Sequence, residues 1–475
     1  MWQDAALRLF CPNEEYMMSQ LPQKFFVTAA TVFGLFCQLA QGEPQPDELP
    51  AAGAAQAELI GTPARPSAGL VELEGMGLNL NPRLARAAFV VAAARGKAIQ
   101  AGLYPNPSLA VTFDELGDRT GRSGVNTLPL LSQELVTGGK LRLSREAGLR
   151  LVDQETWRLM SQRYALLADI RTRYYEALVL QSQIGVLQKM VALAERSVKQ
   201  SEDLLEAKEV ARLDVIQLEI EAERLKTELE ASQRQLPASY KNLAVSVGDP
   251  RLVFERVEGE ITGGMPFYDL EAVQAVALSS HPDIHAARHG VERARLLVER
   301  ARVEPLPNVA VDTGYVRQNQ NRSDDFRIGA SMTVPLWNRN QGNIRAAEAE
   351  FCEAQQQVRQ VENELAERIA TAIREYEAAR RRAERYSSAI LPRARETYEL
   401  SRKAYQGGEF EYLRILESQR ALAQAYLDYT RALGEGWKAA AALSGLTLQD
   451  VWPDHLLEIP EAAPPGAPPE MKDMP

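Results

Sequence analysis

Two rhythms of apolar residues alternate along this chain. From Ile170 they return at sevens, through Ala177, Ile184, Val191, Val198 and Leu205, with Leu180, Leu187 and Ala194 at the companion position. A heptad seam of this length predicts a long helix packed in a left-handed supercoil. No proline interrupts 140–207, so the helix would reach on the order of 100 Å. The chain turns near Glu209–Arg212 and returns through Leu218, Ala222, Leu225 and Leu229 in threes and fours. The other rhythm has period two. Val309, Val311, Thr313 and Tyr315 alternate with Ala310, Asp312 and Gly314. Phe326, Ile328, Ala330, Met332 and Val334 alternate with Arg327, Gly329, Ser331 and Thr333. These runs predict strands over Asn308–Val316 and Phe326–Val334, with a solvated loop over 317–325. Leu109, Val111 and Phe113 repeat the alternation earlier, and 126–135, which carries Pro129, follows it less regularly.

The two rhythms occur twice, about 200 positions apart. Asn81-Pro82 answers His281-Pro282, Pro105-Asn106-Pro107 answers Pro305-Leu306-Pro307, and Glu209 and Leu213 answer Glu409 and Leu413. Tyr240-Lys241 and Gly248 answer Trp437-Lys438 and Gly445, which predicts an offset slipping to 197. Each half begins with a short helix (about 70–103 and 270–303), passes through two strands, and then runs in long helices. The second half's long helix is expected from Ala346 to Tyr405, with a turn at Gly407-Gly408 and a return from Leu413 to Leu443. The partition expected is 1–42 as N-terminal extension and signal peptide, 43–69 as disordered linker, 70–250 and 267–448 as the two repeats, 251–266 as linker and 449–475 as a Pro-rich tail.

Composition narrows the setting. A net charge of −10 argues against nucleic acid as partner. After residue 42 no 18 apolar residues run together, so no transmembrane helix is expected. Residues 1–16 are polar. From Met17 or Met18 a secretory signal follows: Lys24, an apolar stretch from Phe25 to Cys37, then Ala40-Gln41-Gly42. Phe36 is bulky where a lipidated Cys37 would need a small neighbour. After cleavage Cys352 alone remains, which leaves no intrachain disulfide.

Alternation alone fits hairpins on a soluble sheet as well as membrane strands. Roughly nine residues, though, is the length a tilted membrane strand needs, and Tyr104, Phe113, Tyr315, Phe326 and Trp337 would supply aromatic girdles. Four such strands cannot close a barrel, and an open edge in lipid leaves backbone groups unpaired. Two copies would give a barrel nearly filled by side chains, and three a barrel with a lumen. The chain also resembles the TolC-like outer-membrane factors over about residues 70–450. Asn81-Pro82, His281-Pro282, Gln133–Lys140 with its counterpart Pro335–Asn343, and Tyr405–Leu413 carry the resemblance. Gly138-Gly139-Lys140 and Arg339-Asn340-Gln341-Gly342 look most like the CzcC-type cation and heavy-metal efflux branch. The fold expected is mainly α with a small β part: an internally duplicated protomer of long coiled-coil helices and four membrane strands, assembling as a homotrimer into a β-barrel and an α-barrel. The resemblance implies an outer-membrane efflux channel whose helices lie in the periplasm, partnered by outer-membrane lipid, a periplasmic adaptor and, through it, an inner-membrane pump. The outer-membrane part of a type I protein-secretion system, and a soluble periplasmic coiled-coil scaffold, are the alternatives.

Candidate sites follow from these readings. Asp114, Asp312 and Arg327 are expected to face the lumen. Glu209, Leu213, Gly407, Gly408, Glu409, Glu411 and Leu413 fall at the turns matching the family's periplasmic tips, where the adaptor docks. Glu409, Glu411 and Asp214 would form an acidic rim, or simply a charged turn. The first turn, Lys208–Arg212, lacks the family's glycine, so a left-handed turn is not expected there. His281, His285 and His289, at i, i+4 and i+8, are weak metal candidates, with an N-cap role for His281 as the plainer reading. No cofactor and no enzyme constellation are expected.

Overall fold

The computed structural model describes residues 65–114, 125–262, 265–266, 268–318, 323–406, 412–450 and 452. The signal and lipidation expectations, and most of both tails, fall outside them. The first half runs β1 (Arg65–Ala68), α1 (Leu70–Leu80), α2 (Pro82–Ala101), β2 (Ser108–Asp114), β3 (Val125–Leu135), α3 (Lys140–Glu206) and α4 (Arg212–Val247). The second runs β4 (Phe254–Val257), α5 (Leu270–Ser280), α6 (Pro282–Val303), β5 (Val309–Gln318), β6 (Ser323–Met332), α7 (Gln341–Arg385), a π-type turn (Tyr386–Ile390), α8 (Leu391–Gln406) and α9 (Tyr412–Leu446).

The expected single helices 70–103 and 270–303 are each two helices. Proline ends a helix before it and suits the first turn of the next. Asn81 accepts a bond from the Arg83 amide at 2.9 Å, and His281 accepts one from the Asp283 amide at 3.2 Å. Both are therefore N-caps. The helix ends also correct the slipped offset. Gly248 (φ 103°) and Leu448 (φ 60°) occupy the same left-handed position after α4 and α9, and Leu243 and Leu443 before them are both fully buried. The halves are thus 200 apart again at their ends, and Trp437 is no counterpart of Tyr240. Its indole instead donates to the Ile261 carbonyl at 2.8 Å and stacks on Tyr175 at 4.4 Å.

The sheet has the order β2-β3-β5-β6, antiparallel throughout. The halves meet in its middle, with Leu135 opposite Val309 and Gln133 opposite Val311. Pro129 explains the irregularity of β3. Leu128 and Pro129 together oppose single residues on both neighbours, a bulge where a missing N–H is tolerated. β6 spans 323–332, starting earlier than the alternation suggested. A second sheet was not anticipated: β1 pairs in parallel with β4, from Arg65 opposite Phe254 to Ala68 opposite Val257. The linker 43–69 therefore ends in a strand, and 251–266 contains one.

The heptad seam is buried as expected through Ala194, while Val198 and Leu205 at its end are half-buried. Ile170, Ala177 and Leu187 are fully covered, and Leu180, Ile184, Val191 and Ala194 nearly so. Part of α3 is apolar enough, by length and composition alone, to pass for a membrane span, contrary to expectation. Its seam residues are spent on packing against α4, α9 and the central aromatic core instead. In the second half the long helix is interrupted at 386–390. There Ser387 and Ser388 both turn their hydroxyls onto the Glu384 carbonyl, at 3.0 and 2.7 Å, competing with the helical ladder.

Candidate functional site

The four-stranded sheet has two unlike faces. Register puts Val309, Val311, Thr313 and Tyr315 opposite Met332, Ala330, Ile328 and Phe326 on one face. No described residue covers it: Phe326 is 70% and Ile328 73% exposed, with Leu109 at 69%. On the other face Asp312 lies between Ser132 and Gly329, and Arg327 lies opposite Gly314. Asp312 and Arg327 thus share one polar face, with Glu134 opposite Ala310. Asp114 ends β2 opposite Val125, and its side chain lies outside the described residues. Strands of 7 to 11 residues with one apolar and one polar face suit lipid outside and water inside.

Below the sheet a polar junction joins strands to helices. Gly138 and Gly139 take left-handed φ of 70° and 67°, which glycine adopts without strain. A Cβ on Gly138 would meet the Leu306 side chain at 2.8 Å. The turn drives Lys140 inward. It is buried, and its Nζ donates to the Leu306 carbonyl at 2.7 Å and to Asn308 Oδ1 at 2.9 Å. Thr137 Oγ1 donates to the Pro307 carbonyl at 2.7 Å. The two halves are therefore stitched across sequence at the point where barrel strands become helices. A cavity of about 1020 Å³ opens here, lined among others by Lys140, Glu134, Asn308 and Asn340. No role was assigned to Lys140 from sequence; two glycines before a lysine at a helix start were its signal.

At the far end of α3 the left-handed turn forms without glycine. Lys208 adopts φ 61°. The amides of Lys208 and Glu209 donate to the carbonyls of Leu205 (3.0 Å) and Leu204 (2.9 Å), a Schellman closure. Leu204 and Val210 then pack with Tyr405 and Ile415. Asp214 is occupied locally, its carboxylate accepting the Ala211 amide at 3.2 Å. Glu209 is exposed, Leu213 is 61% exposed and Leu413 44%. Gly407, Gly408, Glu409 and Glu411 lie outside the described residues.

The three histidines are drawn into separate contacts. His281 caps α6, His285 stacks on Trp157 with centroids 4.5 Å apart, and His289 sits 3.7 Å from Asp153. Burial lowers all three below the usual imidazole pKa. Among the described residues no group of three or more His, Cys, Asp or Glu is placed to hold a metal.

An unforeseen cluster fastens the middle of the molecule. Arg171 is fully buried. Its guanidinium donates to Glu74 (2.6 Å), Ser444 (2.8 Å) and the carbonyls of Gln449 (2.9 Å) and Asp450 (3.2 Å), and lies over the Trp452 ring. Burial outweighs the arginine's pull and raises the Glu74 pKa. Sequence gave no signal for it, since Arg171 is one of many arginines on a charged helix.

An open sheet with a lipid-ready face, continued by helices too long for a globule, defines one share of a membrane conduit. The chain belongs to the outer membrane efflux protein family, whose model matches residues 75–249 and 274–447. It is an outer-membrane efflux channel component, with its helical part in the periplasm. It is 22% identical over 382 residues to the cobalt-zinc-cadmium resistance protein CzcC of Cupriavidus metallidurans, covering 80% of this chain and 90% of that protein. It is 25% identical over 350 residues to the pyoverdine export outer membrane protein OpmQ of Pseudomonas putida, covering 65% and 70%. Its fold matches the outer membrane protein VceC of Vibrio cholerae with TM-score 0.68 at 21% identity, over 80% of this chain and 95% of that one.

Proposed function

We propose that three copies of this chain close their four-stranded sheets into one twelve-stranded barrel and their helices into one tube, a passive conduit that performs no chemistry itself. The observation that carries this is the open sheet: two edges, β2 and β6, with no partner strand among the described residues, beside an apolar face that no described residue covers. Lipid tolerates no unpaired strand edge, so closure must come from further copies. Asp114, Asp312 and Arg327 then line the lumen. The α3–α4 and α8–α9 turns, with Glu209, Leu213, Gly407, Gly408, Glu409, Glu411 and Leu413, form the periplasmic tip that meets an adaptor and, through it, an inner-membrane pump. Similarity to CzcC supports divalent metal cations as the exported class. Similarity to OpmQ supports a small organic molecule as the second reading.

Two measurements test this. Native mass of the detergent-extracted protein should read three copies, and purified protein in planar bilayers should conduct; a monomer without conductance ends the proposal. Deleting the gene should sensitise cells to cobalt, zinc or cadmium. Unchanged metal tolerance with a working channel would favour the organic-substrate reading.

A further inference from the structure

Resting on the reading of the sheet as part of a barrel closed in lipid, we infer that the junction of strands and helices is a collar for anionic phospholipid. Trp337 stands at the boundary of acyl chain and headgroup in the periplasmic leaflet, and the basic side chains below it meet the phosphates.

Trp337 is 87% exposed, yet its backbone is held firmly. The Leu336 amide donates to the Val334 carbonyl at 3.0 Å. The Gln341 side chain spans the turn, donating to the Trp337 carbonyl at 3.4 Å and accepting from the Arg339 amide at 2.9 Å. Asn338 Oδ1 accepts the Asn340 amide at 3.0 Å. A fastened turn thus keeps its largest side chain outside. That side chain also points away from the lumen: Pro335 and Asn338 line the polar cavity, whereas Leu336 and Trp337 between them do not. The turn lies just beyond Met332, where β6 and its apolar row end. In the connector before β2, Tyr104 is likewise 65% exposed beside an exposed Leu103. An indole, with an apolar body and one N–H, suits the layer where acyl chains give way to headgroups.

Charge identifies the lipid. The whole chain carries −10, but the helix ends and connectors next to the sheet (95–107, 136–147, 297–308 and 333–347) hold nine Lys and Arg against three Glu. Lys140 and Arg300 line the cavity, and Arg142 and Arg302 are paired with Glu146 and Glu348. Lys97, Arg145, Arg339 and Arg345 are exposed and meet no carboxylate among the described residues. Gly102, at the end of α2, makes room for one of them: a Cβ there would stand 3.0 Å from Arg145 Cδ. Long basic side chains lay their stems along apolar surface and turn their charge to the headgroups. Unpaired cations directly below an apolar face complement an anionic headgroup, whereas a zwitterionic one gains little from them.

The test places the full chain in vesicles of phosphatidylglycerol and phosphatidylcholine in equal parts, one or the other brominated on its upper acyl carbons. Subtracting the emission of Trp337→Phe isolates Trp337 from the other tryptophans. One basic side chain at a membrane surface favours an anionic headgroup roughly fivefold. Brominated phosphatidylglycerol should therefore quench Trp337 at least about three times as strongly as brominated phosphatidylcholine. Arg145→Gln/Arg339→Gln/Arg345→Gln should make the two lipids equal while quenching persists; a preference that survives there overturns the role of the arginines. If that variant fails to insert, raising salt to about 1 M should bring the unaltered chain toward equality, and indifference to salt counts against the collar. Equal quenching in the unaltered chain at low salt overturns the anionic preference. No quenching by either lipid, in a protein of three copies by native mass, shows Trp337 covered by protein and overturns the collar alone. A monomer whose Trp337 is reached by aqueous acrylamide and by neither lipid removes the barrel reading itself.

Discussion

Replacing Arg171 by Met keeps the stem of the side chain and removes its charge from a site with no solvent access. The loss is set by what stays behind. The Glu74 carboxylate, itself only 7% exposed, loses its partner at 2.6 Å. Ser444 and the carbonyls of Gln449 and Asp450 lose a charged donor. Breaking a buried ion pair by removing one side costs about 3–5 kcal/mol, and the two carbonyls, being only partly buried, recover some solvation. Removing the second charge as well, in Arg171→Met/Glu74→Met, relieves the stranded carboxylate and should return most of the loss, leaving about 1–2 kcal/mol for the orphaned carbonyls. Urea unfolding in detergent, followed by tryptophan fluorescence, reads the effect directly because Trp452 lies against the guanidinium at 5.3 Å. Protease cleavage near residue 450 should quicken in the single variant, since the chain after α9 is held by that guanidinium. A single variant as stable as the double one would refute the reasoning, because it would mean that the buried carboxylate needs no partner.

Three further outcomes follow from the geometry. Lys208→Gly, at φ 61°, should stabilise the tip by up to about 1 kcal/mol through relief of left-handed strain, read as a higher urea midpoint; a lower midpoint would show that the lysine side chain contributes there. Gly138→Ala forces a Cβ into Leu306 at a positive φ and should lose about 1–3 kcal/mol, seen as a smaller heat-stable oligomer fraction after extraction; wild-type yield contradicts it. Because His281, His285 and His289 have folded pKa values below their unfolded ones, the folded state binds fewer protons. Their stabilisation is complete above the unfolded value, about 6.5, and drains away as pH falls through it. His285→Phe/His289→Gln should flatten the melting temperature against pH in that window, and an unchanged slope would assign it to other groups.

Much of this architecture was legible because long periodic patterns are redundant. The seam from Ile170 to Leu205 is stated many times over, and a single misread residue does not alter it. Features set by one contact were not legible. The slip to an offset of 197 came from the chemical likeness of Tyr240 and Trp437, yet the capping geometry of Gly248 and Leu448 sets the true alignment. Lys208 takes a glycine's place because the packing of Leu204 and Val210 fixes the turn. The β1–β4 pair escaped notice because four residues per strand carry no periodic signal and the partners lie far apart in sequence. The histidine spacing was visible, but whether Trp157 and Asp153 would face it depends on how α3 and α6 cross.

The open sheet has a consequence for inheritance. In the proposed ring of three, a copy damaged at β6 still offers a sound β2 edge, so it joins the assembly and leaves a gap elsewhere. A cell making sound and damaged copies in equal amounts would assemble about one ring in eight entirely from sound ones. Lesions confined to the β6 edge should therefore behave as dominant, and lesions that prevent the whole chain from folding as recessive.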